Sequence, residues 1–96
     1  MSQQVTVTTD AAIALRPLLE SAIRSELRVL VLALARTAQR LHVFEDQYGL
    51  TSEEFELRFA AGDLGESLDY IEWAGEIKTY HFLKTQQQAL QEVRLH

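Results

Sequence analysis

The sequence predicts an all-α fold with one short N-terminal β-strand: a long antiparallel helical hairpin with a short connecting helix, paired as a dimer. Three observations carry that prediction. Apolar residues between Leu27 and Tyr48 recur at alternating steps of three and four, the spacing of one helix face. A second stretch, from Leu68 to Leu90, carries another broad apolar face. Between them lie Gly49, Gly62 and Gly65, each close to a residue suited to start a helix.

Residues 5–9, VTVTT, are β-branched throughout and read as one short strand. A lone strand leaves its backbone groups unpaired, so this one is expected to meet another, such as the same strand of a second copy. Asp10 is suited to cap a helix start ahead of AAIAL. Pro17 fits a first turn and is costly in an interior. Either a short turn closes before Arg16, or the long helix starts at Pro17; the long helix is assigned to 17–48. Its seam is Leu27, Leu30, Leu34, Thr37, Leu41, Phe44 and Tyr48. Val29, Val31, Leu32, Ala33 and Ala35 fill the faces between. A helix apolar all round is buried all round, and one antiparallel neighbour covers one side. The remainder is expected to meet a second protomer or a partner. The self-association candidates are Val5, Val7, Val29, Leu32, Ala33 and Arg36.

Gly49 ends this helix. Thr51 fits the N-cap of a short helix over 51–61, Glu54 completes a capping box, and Leu50 with Phe55 forms a hydrophobic staple. Gly62 stops it. Ser67, or less favourably Asp69, caps a third helix over 67–93, whose apolar face includes Leu68, Ile71, Trp73, Ile77, Tyr80, Leu83 and Leu90. Gly75 inside that helix costs about 1 kcal/mol against alanine, which points to close approach of another helix there. The whole is read as a single domain, 1–96.

Charge is segregated. Residues 45–76 hold ten acids against one base, Arg58, for a net −9, whereas the segments before and after are each +2. An acidic chain with scattered bases is a poor ligand for phosphate backbones, so direct nucleic-acid binding is not expected. The Val-Thr strand followed by helix also begins ribbon-helix-helix proteins. The long helix has no turn to divide it, however, and the strand has no Lys or Arg to reach bases. There is no cysteine, and the longest uncharged apolar run, Val29–Ala35, has seven residues, far short of a membrane span. Residues 1–10 lack the basic-then-apolar order of a signal peptide. The expectation is a soluble cytoplasmic protein.

Chemistry is hard to place. No G-x-S-x-G elbow and no phosphate-binding glycine loop is present, so no enzyme and no cofactor is expected. His42-x-x-Glu45, with Glu72 and Glu76 on another helix, is a weak echo of a carboxylate metal site; its order is reversed and His81 falls on the wrong face. The acids themselves are the sharper signal. Solvated helices usually pair acids with bases three or four residues on. Here only Glu54–Arg58 does so, while Glu53–Glu56, Asp69–Glu72 and Glu72–Glu76 are like-charge neighbours. Helix dipoles account for Glu53, Glu54 and Asp69 in first turns, and not for Glu56, Glu72 or Glu76. Two readings stand, plain solvation and a surface for a basic partner. The partner-binding candidates are Glu53, Glu54, Glu56, Asp63, Glu66, Asp69, Tyr70, Glu72, Trp73 and Glu76. Trp73 suits either a core position or an interface anchor.

The block Tyr48–Glu76, YGLTSEEFELRFAAGDLGESLDYIEWAGE, resembles a recurrent pattern of small acidic helical prokaryotic proteins, close to YGMSSEEF…GELGD…EW. The resemblance extends over most of residues 17–90. Leu50 replaces the usual Met, and Glu66-Ser67 replaces two acids. It implies an antitoxin component of a toxin-antitoxin system, often encoded beside a TumE-type toxin, and hence neutralisation of a small basic, RNase-like protein by direct binding. The alternative is a homodimeric structural module with no toxin partner.

Overall fold

Helix α1 spans Ala12–Tyr48, α2 spans Ser52–Ala60 and α3 spans Leu68–Glu92 in a computed structural model that describes residues 12–93. All regular structure among the described residues is helical. The expected strand over 5–9, with Val5, Val7 and the Asp10 cap, lies outside the described residues. α3 folds back along α1 as an antiparallel hairpin: Tyr48 meets Asp69, and Arg40 meets Glu76. The result is a rod about 60 Å long and 20–25 Å across. None of the described helices is long and apolar enough to cross a membrane.

α1 runs straight through Pro17, so neither expected boundary near Arg16 or Pro17 holds. Pro17 stands in the second turn, and its missing N–H leaves the carbonyl of residue 13 without its helical partner. Residues on both sides continue the helix. The α1 seam is as the spacing requires: Leu30, Leu34 and Thr37 are buried, and Leu27, Leu41, Phe44 and Tyr48 are half-buried toward α3. Thr37 satisfies its hydroxyl by donating to the carbonyl of Ala33 at 2.9 Å.

The turns follow their chemistry. Gly49, at φ +67°, takes the left-handed conformation that ends α1 and donates to the carbonyl of Glu45. Thr51 caps α2 by accepting from the Glu54 amide at 3.1 Å. The Glu54 carboxylate, in turn, accepts from the Thr51 hydroxyl rather than from its amide. α2 ends in a Schellman motif: Gly62 donates to the carbonyl of Phe59, and Asp63 to that of Arg58. Ser67, not Asp69, caps α3.

The core sits at the closed end of the hairpin. Phe55, Trp73 and Ile77 are buried, and Leu41, Phe44, Tyr48, Leu50, Phe59, Leu64 and Tyr70 pack around them. Trp73 is the centre of an aromatic stack. Its ring lies 3.9 Å from Phe55, nearly parallel to it, and 5.6 Å from Phe44. The staple residues Leu50 and Phe55 belong to this same cluster.

Two expectations fail here. Gly75 does not admit a neighbouring helix: a side chain there would meet nothing within 4 Å. Glu54 and Arg58 do not pair, because the Glu54 carboxylate is engaged at the cap.

Candidate functional site

The structure sorts the candidate partner-binding residues into three groups. Trp73 is wholly buried and Tyr70 half-buried among rings, so Trp73 takes the core position in this chain. The physical reason is the hairpin closure, which places the indole between Phe44 and Phe55 while its Nε1 donates to Ser52 Oγ at 3.0 Å. Three acids are engaged within the chain. Glu54 serves the α2 cap, Asp69 accepts from the Tyr48 hydroxyl and from Gln47 Nε2, and Glu76 accepts from Arg40 at 3.5 Å. The second oxygen of Glu76, Oε2, is buried with no hydrogen-bond partner among the described residues, which nothing in the structure explains.

The third group is Glu53 and Glu56 on α2, Asp63 and Glu66 in the loop, and Glu72 on α3. All five are exposed and have no ion pair among the described residues. Arg58, the one base in the acidic third of the chain, pairs with none of them.

Two of these acids wall a groove. Between α1, α2 and α3 lies a cleft of about 280 Å³ whose apolar floor is Leu41 and Ile77. His42 and Glu45 of α1, Glu53 and Glu56 of α2, and Tyr80 and His81 of α3 line it. Glu72 stands on a separate groove, formed by α1 and α3 around Arg40, Val43, Gly75 and Glu76.

Glu45 is a link between helices that the sequence does not announce. Its Oε2 accepts from the Ser52 amide at 2.7 Å, and its Oε1 lies 2.9 Å from His42 Nδ1. One carboxylate therefore ties the end of α1 to the start of α2, where free amides and the helix dipole favour an anion. Burial pushes the Glu45 carboxyl up. The hydrogen bonds from Ser52 and the adjacent His42 outweigh this, and the net is below the ordinary value. The only sequence signal was His42-x-x-Glu45, read as half of a weak metal site. Among the described residues no three His, Asp or Glu side chains are placed to hold a metal ion.

Tyr48 and Asp69 form a second latch, between α1 and the first turn of α3. The hydrogen bond to the Asp69 carboxylate, with burial and the negative charge of Asp69 adding to it, pushes the Tyr48 hydroxyl up to about 12.

The self-association candidates also separate. Val29, Leu32 and Arg36 are exposed on α1, and Ala33 is half-buried beside them. No family model, curated protein or solved structure matches the chain.

Proposed function

We propose that this protein is a non-enzymatic binding module that masks a basic protein, in the manner of an antitoxin. The observation that carries this reading is the set of exposed, unpaired carboxylates on α2, the following loop and the start of α3, with Glu53 and Glu56 beside an apolar-floored cleft. A long cationic side chain has the shape for such a cleft: its methylene stem would lie on Leu41 and Ile77, and its charge would meet Glu53 and Glu56. A toxin that holds RNA must carry basic residues for the phosphates. An acidic partner would cover them, and complementary charge would speed the encounter. Glu72, Asp63 and Glu66 would extend the field around the closed end.

The test is capture of tagged protein from its native cells at moderate salt, wild type beside Glu53→Lys/Glu56→Lys. The expected result is a small basic protein in near-stoichiometric amount with wild type, released by high salt, and lost with the double variant at unchanged helicity. Equal capture by both proteins, or no basic partner, would overturn the reading. A cytoplasmic location is part of the same proposal.

A second reading, a homodimeric module, is favoured by the exposed apolar residues of α1. It is compatible with the first, because those residues lie on another part of the molecule.

A further inference from the structure

α1 carries two seams. The first faces α3. A second runs along the other side of the helix through Leu18, Ala22, Ser25, Val29 and Leu32, and continues through Arg36, Gln39 and Val43 at the same alternating steps of four and three. Every one of these side chains is exposed in the folded chain, Leu18 at 66%, Leu32 at 67% and Val43 at 63%. At ~1.5 Å per residue the stripe is about 38 Å long and covers three to four heptads, with Leu18, Ala22, Val29, Leu32 and Val43 as its apolar positions and Ser25, Arg36 and Gln39 as its polar ones.

What covers this stripe follows from the order of its residues. A symmetric dimer must use a self-complementary patch. Read from both ends, the stripe matches large apolar with large apolar, Leu18 with Val43 and Val29 with Leu32. It also matches long polar with small, Gln39 with Ala22 and Arg36 with Ser25, whose hydroxyl accepts from Arg28 of its own chain at 3.1 Å, so that Arg28 must swing aside to admit the partner's Arg36. A parallel pairing in register would instead set Arg36 against Arg36, a like-charge contact, and would stack the small residues opposite one another, leaving gaps.

We propose that a second copy of this chain packs antiparallel on this stripe, with Leu32 of one protomer against the partner's Val29 about a two-fold axis between residues 30 and 31. The order of layers is then α3, α1, the second α1 and the second α3. The acidic closed ends point away from each other, so each remains open. The inference does not rest on the basic-partner reading.

The chain has no cysteine, which makes directional cross-linking clean. In the antiparallel register Ala22 of one protomer faces the partner's Gln39, whereas the two copies of Ser25 stand about 16 Å apart. Mild oxidation of an equimolar mixture of Ala22→Cys and Gln39→Cys proteins should give the mixed disulfide dimer, with neither variant cross-linking to itself and Ser25→Cys likewise unreactive toward itself. Sedimentation equilibrium should show a dimer whose dissociation constant rises by at least ~100-fold in Leu32→Glu, since two leucines leave the interface. Far-UV circular dichroism should be unchanged in that variant, because Leu32 is exposed within one chain. A self-linked Ser25→Cys dimer, a wild type that is monomeric at all concentrations, or a Leu32→Glu dimer of undiminished affinity would each overturn the proposal.

Discussion

The closed end of the hairpin and the N-terminal half of α1 are built on one helix and one periodicity, yet they differ in what finishes them. From Leu41 to Tyr48, α1 is met by α2, the loop and α3, and the junction is filled by stacked rings. Polar groups there are tied across elements by Glu45, Ser52, Asp69 and Tyr48. Nearer the start of α1, only α3 runs alongside, and about three turns extend past the level of its end at Glu92. Leu18, Val29, Val31 and Leu32 remain in solvent. The contrast teaches that the closed end is complete within one chain, whereas the long arm leaves much of its apolar surface uncovered within that chain.

The largest effect should come from emptying the complete region. Trp73→Ala removes the wholly buried indole from its stack and should cost about 3–5 kcal/mol, read by urea unfolding. Trp73→Phe keeps most of the packing and should cost far less. Ser52→Ala comes next. It leaves the buried indole N–H without its acceptor and should cost about 1–3 kcal/mol. In the Trp73→Phe background the same change should cost much less, so a double-mutant cycle isolates that bond.

Glu45→Gln should cost ~1 kcal/mol near neutral pH, the half-exposed setting reducing the worth of a charge-assisted bond. Because the folded carboxyl titrates below its ordinary 4.5, its contribution is present above that value and lost as pH falls through the folded pKa. The Gln variant should therefore lose less stability than wild type on acidification. If the two acid limbs superimpose, the latch contributes nothing.

Tyr48 gives the opposite sign. Its folded pKa is raised from 10 to about 12, so its contribution is intact below pH 10 and fades as pH rises toward 12. Tyr48→Phe should flatten that alkaline limb. The smallest effect belongs to the arm. Leu32→Ala at concentrations low enough to hold the chain as a monomer should change unfolding free energy by under ~0.5 kcal/mol. A loss of several kcal/mol there would mean that the arm is covered within one chain, and would erase the comparison.

Much of the fold was legible because it is written in local signals. The three-four spacing from Leu27 to Tyr48 predicts the face that meets α3. Thr51, Ser67, Gly49 and Gly62 mark helix ends through groups that act within a turn of themselves. The failures are of two kinds. Pro17 is expected to bound the helix because of its cost in an interior, yet the helix continues on both sides of it. Gly75 was read as a contact, although nothing approaches it.

The site was legible only in outline. Acid content showed that residues 45–76 carry the charge. Which carboxylates are spoken for depends on partners that folding brings from far along the chain. Asp69 is taken by Tyr48 and Glu76 by Arg40, pairs separated by 21 and 36 residues. Nothing local distinguishes them from Glu72, which is exposed. Trp73 posed the same problem, since a buried anchor and an exposed one have identical neighbours in sequence.

The burial of Trp73 has an optical consequence. It is the only tryptophan in the chain, and it lies between two phenylalanine rings with its N–H bound to Ser52. Its emission will be blue-shifted while the hairpin is shut and will move red when the closed end opens. The first turns of α1 contribute to the far-ultraviolet helix signal but are silent in that fluorescence. A single heating run recorded with both signals thus separates fraying of the arm from opening of the hairpin. If the arm self-associates as proposed, raising the concentration should shift the far-ultraviolet curve more than the fluorescence one.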